Sequence, residues 1–124
     1  MKMIKLGNIA VDCKNANTLS NFYEKLLGWQ KFVLYGSLAL KSEEGVVLLF
    51  LQADDFEYTA PVWPEEPNKP QKQIHFDFVV DHLADTVEYA ISLGAKKAEQ
   101  QYNENLFVVM FDPEGHPFCM CVAD

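Results

Sequence analysis

The segment QIHFDF at residues 73–78 alternates polar and apolar side chains. This two-residue period predicts a β-strand, because successive side chains of a strand point to opposite faces. His75 and Asp77 then share one face, about 7 Å apart, while the apolar side chains lie on a core. An imidazole beside a carboxylate can move a proton or orient a substrate, since histidine titrates near neutral pH and a carboxylate can fix its tautomer. Two structural hydrogen-bonding groups are the alternative interpretation.

Cys119 is a second candidate for chemistry. It shares one face of the strand-like run PFCMCV with Cys121, and the alternate residues have the apolar character of a core. A thiol acts as a nucleophile only where a nearby base or cation lowers its pKa, so a catalytic Cys119 requires His75 close by. A buried cysteine that fills space is the alternative. The chain has three cysteines, an odd number that predicts reduced thiols, as in the cytoplasm.

Two further candidates lie in loops. Four prolines between residues 61 and 70 exclude a helix interior or a central strand, which predicts an extended linker containing Trp63. This tryptophan would either pack on the domain or cover a pocket. It could also belong to an aromatic wall for a flat ligand, together with Trp29, Phe32, Tyr35 and Phe50. His116 lies in the turn DPEGHP, where a hydrogen bond within the turn is the expected role and ligand binding is the alternative.

Two amphipathic helices position these residues. In NANTLSNFYEKLLGW, apolar side chains recur at i, i+3, i+4, i+7 and i+8 from Leu19, which predicts a helix. Asn15 or Asn17 can cap its start, and Gly28 suits its left-handed end. DHLADTVEYAISLGA predicts a second helix that ends at Gly94. Its expected buried face comprises Leu83, Val87, Ala90 and Ile91.

Strand candidates surround both helices, so each half has the order β-α-β-β-β. The candidate segments are KMIKLGNIAVD, QKFVLY, SLALKS and GVVLLFLQ in the first half, and KQIHFDFVV, KKAEQQY, NLFVVMF and PFCMCV in the second. FYEKLLG aligns with EYAISLG, and the strands before the helices align so that Asn8 lies opposite His75. A repeat of this size indicates two copies that share one sheet. We expect one α+β domain, with module one at residues 1–60, a proline-rich linker at 61–72 and module two at 73–124.

Composition limits the classes of function. The net charge of −8 argues against a nucleic-acid partner, because phosphates are repelled by an acidic surface. The longest apolar run, Val46 to Leu51, is too short to cross a membrane, and no charged-then-apolar signal segment opens the chain. We therefore expect a cytoplasmic globular protein.

The whole pattern resembles the vicinal-oxygen-chelate superfamily, also called the glyoxalase/bleomycin-resistance/dioxygenase family. The resemblance rests on FYEKLLGW in module one, IHFDFVVDHL and LGA in module two, and DPEGHPF before the last strand. It implies a cupped mixed sheet with the helices outside, a ligand held in the concave face, and a homodimer. The fold alone does not decide the function, because unrelated chemistries occur on it.

The resemblance also implies four metal-ligand positions, usually His or Gln, then Glu, His and Glu. These positions fall on Asn8, Gln52, His75 and Cys119, and His75 alone matches. A thiolate at Cys119 suits Zn²⁺ together with His75, but two more good ligands would be needed. We therefore expect no cofactor, with a divalent metal as the disfavoured alternative.

Three functions remain open. The first is a small-molecule-binding protein or metal-independent enzyme of glyoxalase-like type, in which His75 and Asp77 move protons, Cys119 takes part, and Asn8, Gln52, Trp63 and His116 bind the ligand. The second is a non-catalytic, drug-sequestering binder of the bleomycin-resistance type. The third is a metal-dependent lyase or dioxygenase with an atypical ligand set.

Overall fold

The computed structural model of the protein describes residues 3–55 and 57–123. The chain divides into two compact units, Met1–Tyr58 and Thr59–Asp124. Each unit has the element order β-α-β-β-β and one four-stranded mixed sheet. The predicted α+β class and the duplication are therefore confirmed. The prediction that the two copies share one sheet was wrong, because each copy pairs its four described strands only among themselves. The proline-rich segment is grouped with the second unit.

The first unit contains β1 (Ile9–Cys13), α1 (Ala16–Leu27), β2 (Gln30–Leu34), β3 (Ser37–Lys41) and β4 (Val47–Gln52). Its strand order is β1-β4-β3-β2. The β1–β4 pair is parallel because α1 and two strands lie between them in the chain, whereas the successive strands are antiparallel hairpins.

Helix α1 forms where the apolar period predicted it. Of the two candidate caps, Asn15 is the one used, because its side chain accepts a hydrogen bond from Thr18 N. Gly28 ends the helix at φ 70° in the left-handed region, as predicted. The predicted face is buried at Leu19, Phe22 and Tyr23.

The second unit contains β5 (Phe76–Val80), α2 (Leu83–Ser92), β6 (Lys96–Lys97), β7 (Phe107–Phe111) and β8 (Pro117–Val122). Its strand order, β5-β8-β7-β6, repeats that of the first unit. Helix α2 buries Val87 and Ala90, but Ile91 is 47% exposed, so its predicted place on the buried face was wrong. The helix is only ten residues long and contacts β6 and β8, which leaves the Ile91 side outside the packed stripe.

Several strands are shorter than the sequence predicted. β1 begins at Ile9 rather than within KMIKL. β5 begins at Phe76 rather than Gln73, so His75 directly precedes the strand. β6 has two residues instead of seven, because the Gln101 side chain replaces a strand partner of β7. Its amide donates to the carbonyl oxygens of Ala98 and Val109 and accepts from Val109 N.

The proline-rich segment is not extended, contrary to the sequence prediction. Val62 N donates to Pro70 O at 2.8 Å, and Lys69 N donates to Glu66 O. These hydrogen bonds close a loop over residues 62–70, because the prolines restrict φ without preventing a reversal at the non-proline residues between them. Across the described ranges, neither helix is long and apolar enough to span a membrane.

Candidate functional site

The second sheet has one face toward α2 and an opposite face, here called the site face. Phe118 and Met120 of β8 are almost fully buried, and β8 contacts α2. Residues alternate between faces along a strand, so Cys119 and Cys121 lie on the site face. Asp77 is paired with Cys119 in the parallel β5–β8 register and therefore lies on that face too.

His75 and Asp77 form the pair that the sequence alternation predicted. Nε2 of His75 lies 3.2 Å from Oδ1 of Asp77. The side chains are 28% and 60% exposed, so a small molecule can reach both. A carboxylate this close fixes the orientation and tautomer of an imidazole.

Cys119 is the buried member of the group, with 2% exposure. Its thiol donates a hydrogen bond to the Asp77 carboxylate. Burial raises the pKa of Cys119 from 9.0 to about 12, and the negative charge of Asp77 adds to this effect. Burial and Asp77 also raise the pKa of Cys121. Since only the thiolate attacks, these surroundings oppose the nucleophilic role considered for Cys119.

Asp77 thus lies between an imidazole and a thiol. One potential donor atom from each of His75, Asp77 and Cys119 lies within 4.8 Å of the other two. None of the three cysteines forms a disulfide, so the Cys119 sulfur is available to a ligand.

Trp63 packs on the site face. It covers a small apolar cluster of Ala98, Val109 and Cys119. Its ring centroid is 5.0 Å from that of His75 and 5.7 Å from that of Tyr102, with the Tyr102 ring nearly parallel at 24°. Of the two roles open for this tryptophan, packing on its own unit is the one observed. Tyr102 remains 50% exposed, which leaves an aromatic surface beside the polar group.

Lys72 supplies the positive charge of the site. Its Nζ lies 4.1 Å from the centroid of the Trp63 ring and 2.5 Å from Oε1 of Glu65. The hydrogen bond from Lys72 lowers the pKa of Glu65. Sequence reasoning did not find Lys72, Glu65 or Tyr102, since an isolated lysine, glutamate or tyrosine carries no periodic signal.

His116 has the turn role that was expected. Its backbone N–H donates to Asp112 Oδ1 at 3.0 Å, and Nδ1 of the ring lies 2.8 Å from Asp112 Oδ2. Asp112 is buried at 3% exposure and also accepts from Glu114 N. Gly115 occupies the left-handed region at φ 90°, as the turn predicted. A ligand-binding role for His116 stays a prediction.

Gln52 and Asn8 belong to the first unit, whereas His75, Asp77 and Cys119 belong to the second. Gln52 Oε1 accepts from Ala16 N at 2.9 Å, and its Nε2 donates to Asp54 Oδ1 at 3.0 Å. The Gln52 amide therefore holds the start of α1. Asn8 directly precedes β1 and lines a cavity of ≈ 170 Å³ beside Gly45.

The strand bounds correct the alignment of the last strands. β1 and β5 begin at Ile9 and Phe76, which agrees with the pairing of Asn8 and His75. β4 and β8 have equal lengths and begin at Val47 and Pro117. Cys119 therefore corresponds to Leu49, and Gln52 corresponds to Val122. Loop lengths between the helix and the last strand differ in the two modules, and the sequence alignment did not include that difference.

The family-type metal set does not fit these residues. Leu49 offers no donor atom, and the Gln52 amide oxygen already accepts a helix N–H. A tight site needs about four good donors. With neither Leu49 nor Gln52 able to serve, the set lacks one of its four donors, so these positions do not hold a metal in the manner that the resemblance implies.

The predicted aromatic wall is not assembled. Phe50 is 1% exposed and stacks on Tyr23 in the core, at 6.2 Å and 23°. Tyr35 is 83% exposed in the β2–β3 hairpin turn. Trp29 lines an open cavity of ≈ 540 Å³ with the charged residues Lys41, Glu43 and Glu44. The aromatic surface at the site face is formed by Trp63 and Tyr102 instead.

The sequence profile of the family described as "Glyoxalase-like domain" matches residues 8–121. This protein belongs to the glyoxalase-like domain family. The match spans both units, so the resemblance given by the two modules and the DPEGHPF turn is confirmed. A comparison of the glyoxalase-like chain with curated proteins gave no match.

Solved structures agree with this assignment. A glyoxalase/bleomycin resistance protein/dioxygenase family enzyme from Burkholderia phytofirmans PsJN is 17% identical, with a TM-score of 0.69 over 94% of this chain and 96% of that one. A glyoxalase/bleomycin resistance protein from Albidiferax ferrireducens T118 is 13% identical, with a TM-score of 0.64 over 96% and 98%. An integron cassette protein of V. cholerae is 20% identical, with a TM-score of 0.63 over 100% and 98%. At these identities the likeness shows the fold, which is that of the vicinal-oxygen-chelate superfamily.

Proposed function

We propose that this glyoxalase-like protein binds a small organic molecule on the site face of its second unit. The observation that carries the proposal is the accessible His75–Asp77 pair, 3.2 Å apart, beside the aromatic surface of Trp63 and Tyr102. Ligand sites combine apolar and aromatic surface with a few convergent polar groups. This face has both within one unit.

The arrangement suggests how such a ligand is held. Its flat or apolar part rests against Tyr102 and the edge of Trp63, where ring contacts add about 0.5–1.5 kcal/mol beyond area burial. Its polar part reaches His75 and Asp77, which present an imidazole N–H or lone pair and carboxylate oxygens. Cys119 lies opposite Asp77 on the adjacent strand and donates a hydrogen bond to that carboxylate.

A proton transfer is the reaction that these residues support. His75 is the general base or acid, and Asp77 keeps its ring oriented. Cys119 takes no nucleophilic part, because burial and Asp77 raise its pKa to about 12. Asp77 and His75 therefore carry the chemistry, and Cys119 acts by positioning Asp77.

A non-catalytic binder for cationic aromatic compounds is the second candidate. The exposed Tyr102 ring, stacked on Trp63, favours it, since cations bind to the faces of aromatic rings. The net charge of −8 acts in the same direction, because an acidic surface attracts cations. The superfamily resemblance also favours a homodimer in the cytoplasm, and light scattering on the purified protein tests the assembly.

Tryptophan fluorescence provides the test, because the chain has two tryptophans. Trp29→Phe leaves only Trp63 at the site face, and Trp63→Phe leaves only Trp29 as the matched control. Both variants are titrated with neutral, anionic and cationic aromatic compounds in the presence of a chelator. We expect saturable quenching in Trp29→Phe, and at least about tenfold weaker binding when His75→Gln is added. Quenching confined to Trp63→Phe would place binding in the first unit and refute the proposal.

Turnover separates the two candidates. A compound that binds is incubated in deuterated water, and exchange of its acidic C–H protons is followed by NMR. Exchange that disappears in Asp77→Asn and in His75→Gln supports proton transfer. Saturable binding with no exchange for any bound compound supports the non-catalytic binder.

A further inference from the structure

The site face carries three different metal-donor types at one point. His75 offers an imidazole nitrogen, Asp77 a carboxylate oxygen and Cys119 a thiol sulfur, and one donor atom from each lies within 4.8 Å of the others. Asp77 and Cys119 lie opposite each other on the adjacent strands β5 and β8, so backbone hydrogen bonds fix their relative positions. His75 directly precedes β5.

The spacing suits a tetrahedral ion after a small adjustment. Zn²⁺ binds nitrogen and oxygen at about 2.0–2.2 Å and sulfur at about 2.3 Å, which places tetrahedral donors roughly 3.3–3.6 Å apart. The His75 and Asp77 atoms are already 3.2 Å apart. The largest separation in the group, 4.8 Å, closes with a side-chain movement on the order of 1 Å, which an exposed carboxylate can make by rotation.

The donor types select the class of ion. Mg²⁺ and Ca²⁺ prefer sites built from oxygen atoms alone. A set of one thiolate, one imidazole and one carboxylate suits Zn²⁺ and similar thiophilic divalent cations. Three protein donors leave the fourth position to water or a ligand atom, and the 60% exposure of the Asp77 side chain gives solvent access to that position.

A hydrogen bond already holds the Cys119 thiol and the Asp77 carboxylate close together, at the place where the ion would bind. Cys119 donates its proton to Asp77. When a divalent cation forms its bond to Sγ, the thiol proton leaves to solvent, and the attraction between thiol and carboxylate is replaced by two bonds to one ion. Lys72 opposes a second cation here, but its ion pair with Glu65 at 2.5 Å reduces that repulsion.

We propose that His75, Asp77 and Cys119 form a binding site for Zn²⁺ or a similar thiophilic divalent cation, contained within the second unit. The site differs from the set implied by the superfamily resemblance, because it omits Asn8 and Gln52 and includes Asp77. It reverses the expectation of no cofactor. It does not depend on the organic ligand proposed above, since water can fill the fourth coordination position.

The test uses Co²⁺ as a spectroscopic substitute for Zn²⁺ on the full chain. A thiolate bound to Co²⁺ gives a charge-transfer absorption that oxygen and nitrogen donors do not give. We expect one Co²⁺ per chain with this absorption, displaced by one equivalent of Zn²⁺. Cys119→Ser should remove the charge-transfer absorption. Cys119→Ser, Asp77→Asn and His75→Gln should each weaken Co²⁺ binding at least about a hundredfold. A residue that only supports a metal ligand, without binding the metal itself, changes the affinity by about a hundredfold at most.

Two controls come from the chain itself. Cys121→Ser changes the other thiol of the same strand face. His82→Ala changes the matched surface pair, in which His82 Nε2 lies 4.0 Å from Asp81 Oδ2. Both should retain the absorption and the affinity. Far-UV circular dichroism of each variant establishes that a loss of metal is not a loss of fold.

Each outcome decides the proposal. Loss in the three site variants with retention in both controls supports it. Absence of the thiolate absorption in the folded wild-type protein, or its equal loss in Cys121→Ser, overturns it. The organic-ligand titration above contains a chelator, so failure of the metal site and failure of the proposed function give separate results.

Discussion

The contact between Ala60 and the DPEGHP turn can be tested by adding a single methyl group. A Cβ on Gly115 would lie 2.8 Å from the Ala60 Cβ, whereas one on Gly36 would meet no atom within 4 Å. Both glycines have positive φ, 90° and 79°. Gly115→Ala and Gly36→Ala therefore share the backbone strain and differ in the steric overlap.

The two costs can be estimated separately. An L-residue in the left-handed region costs about 1–2 kcal/mol, and alanine lowers the entropy of the unfolded chain by an amount worth about 0.4–1 kcal/mol in the opposite direction. Gly36→Ala should then lower the free energy of unfolding by about 1 kcal/mol. Carbon atoms pack best at about 3.5–4.0 Å, and overpacking of this kind costs about 1–3 kcal/mol. Gly115→Ala should therefore lose about 2–4 kcal/mol.

Urea denaturation of four proteins completes the cycle: wild type, Gly115→Ala, Ala60→Gly and the double variant. Ala60→Gly removes the methyl group that Gly115→Ala would strike. The double variant should recover about 1–3 kcal/mol relative to the sum of the single changes, because the overlap is then absent. Additive effects, or a Gly115→Ala loss no larger than that of Gly36→Ala, would refute the placement of the segment before Trp63 against this turn.

Three further predictions concern single side chains. Asp77→Asn removes the charge that helps to raise the Cys119 pKa. With a pKa of about 12, roughly one Cys119 thiol in ten thousand is ionised at pH 8. Each unit by which the pKa falls raises that ionised fraction about tenfold. Alkylation of Cys119 followed by peptide mass spectrometry should therefore be faster in the variant, although burial still limits it, and an unchanged rate would contradict the contact. Asn15→Ala should lower the free energy of unfolding by about 1 kcal/mol through loss of the helix cap, whereas Asn17→Ala should change it by less than about 0.5 kcal/mol in the same thermal or urea melts. Gln101→Ala removes three hydrogen bonds to the backbone and should cost about 2–3 kcal/mol; hydrogen exchange at β7 should increase, and protection equal to wild type would show that the side chain does not replace a strand partner.

The candidate site was predictable in part. Alternation in QIHFDF brought His75 and Asp77 to one face, and the structure confirms their contact. The sequence could not show that Cys119 lies beside them, because the register between β5 and β8 joins residues about forty positions apart. Lys72 could not be found, since it reaches Trp63 only because the chain reverses at residues 62–70. Tyr102 could not be found either, since it stacks on Trp63 from a distant segment of the chain.

What the sequence determined by itself is local and periodic. The apolar period located both helices, Asn15 or Asn17 and Gly28 marked the ends of α1, and the two modules together with the DPEGHPF turn carried the resemblance to the family. These features depend only on residues close together in the chain, because helix capping and the alternation of strand faces are local effects.

Only the tertiary structure decided which side chains meet. Hydrogen bonding between strands set the register that pairs Asp77 with Cys119, and differing loop lengths made Leu49, rather than Gln52, the counterpart of Cys119. The Gln52 amide oxygen accepts a hydrogen bond from Ala16 N at the start of α1, because the free N–H groups of a helix N-terminus need acceptors. Chemistry at this site therefore depends on pairings between distant segments, which no local pattern in the chain contains.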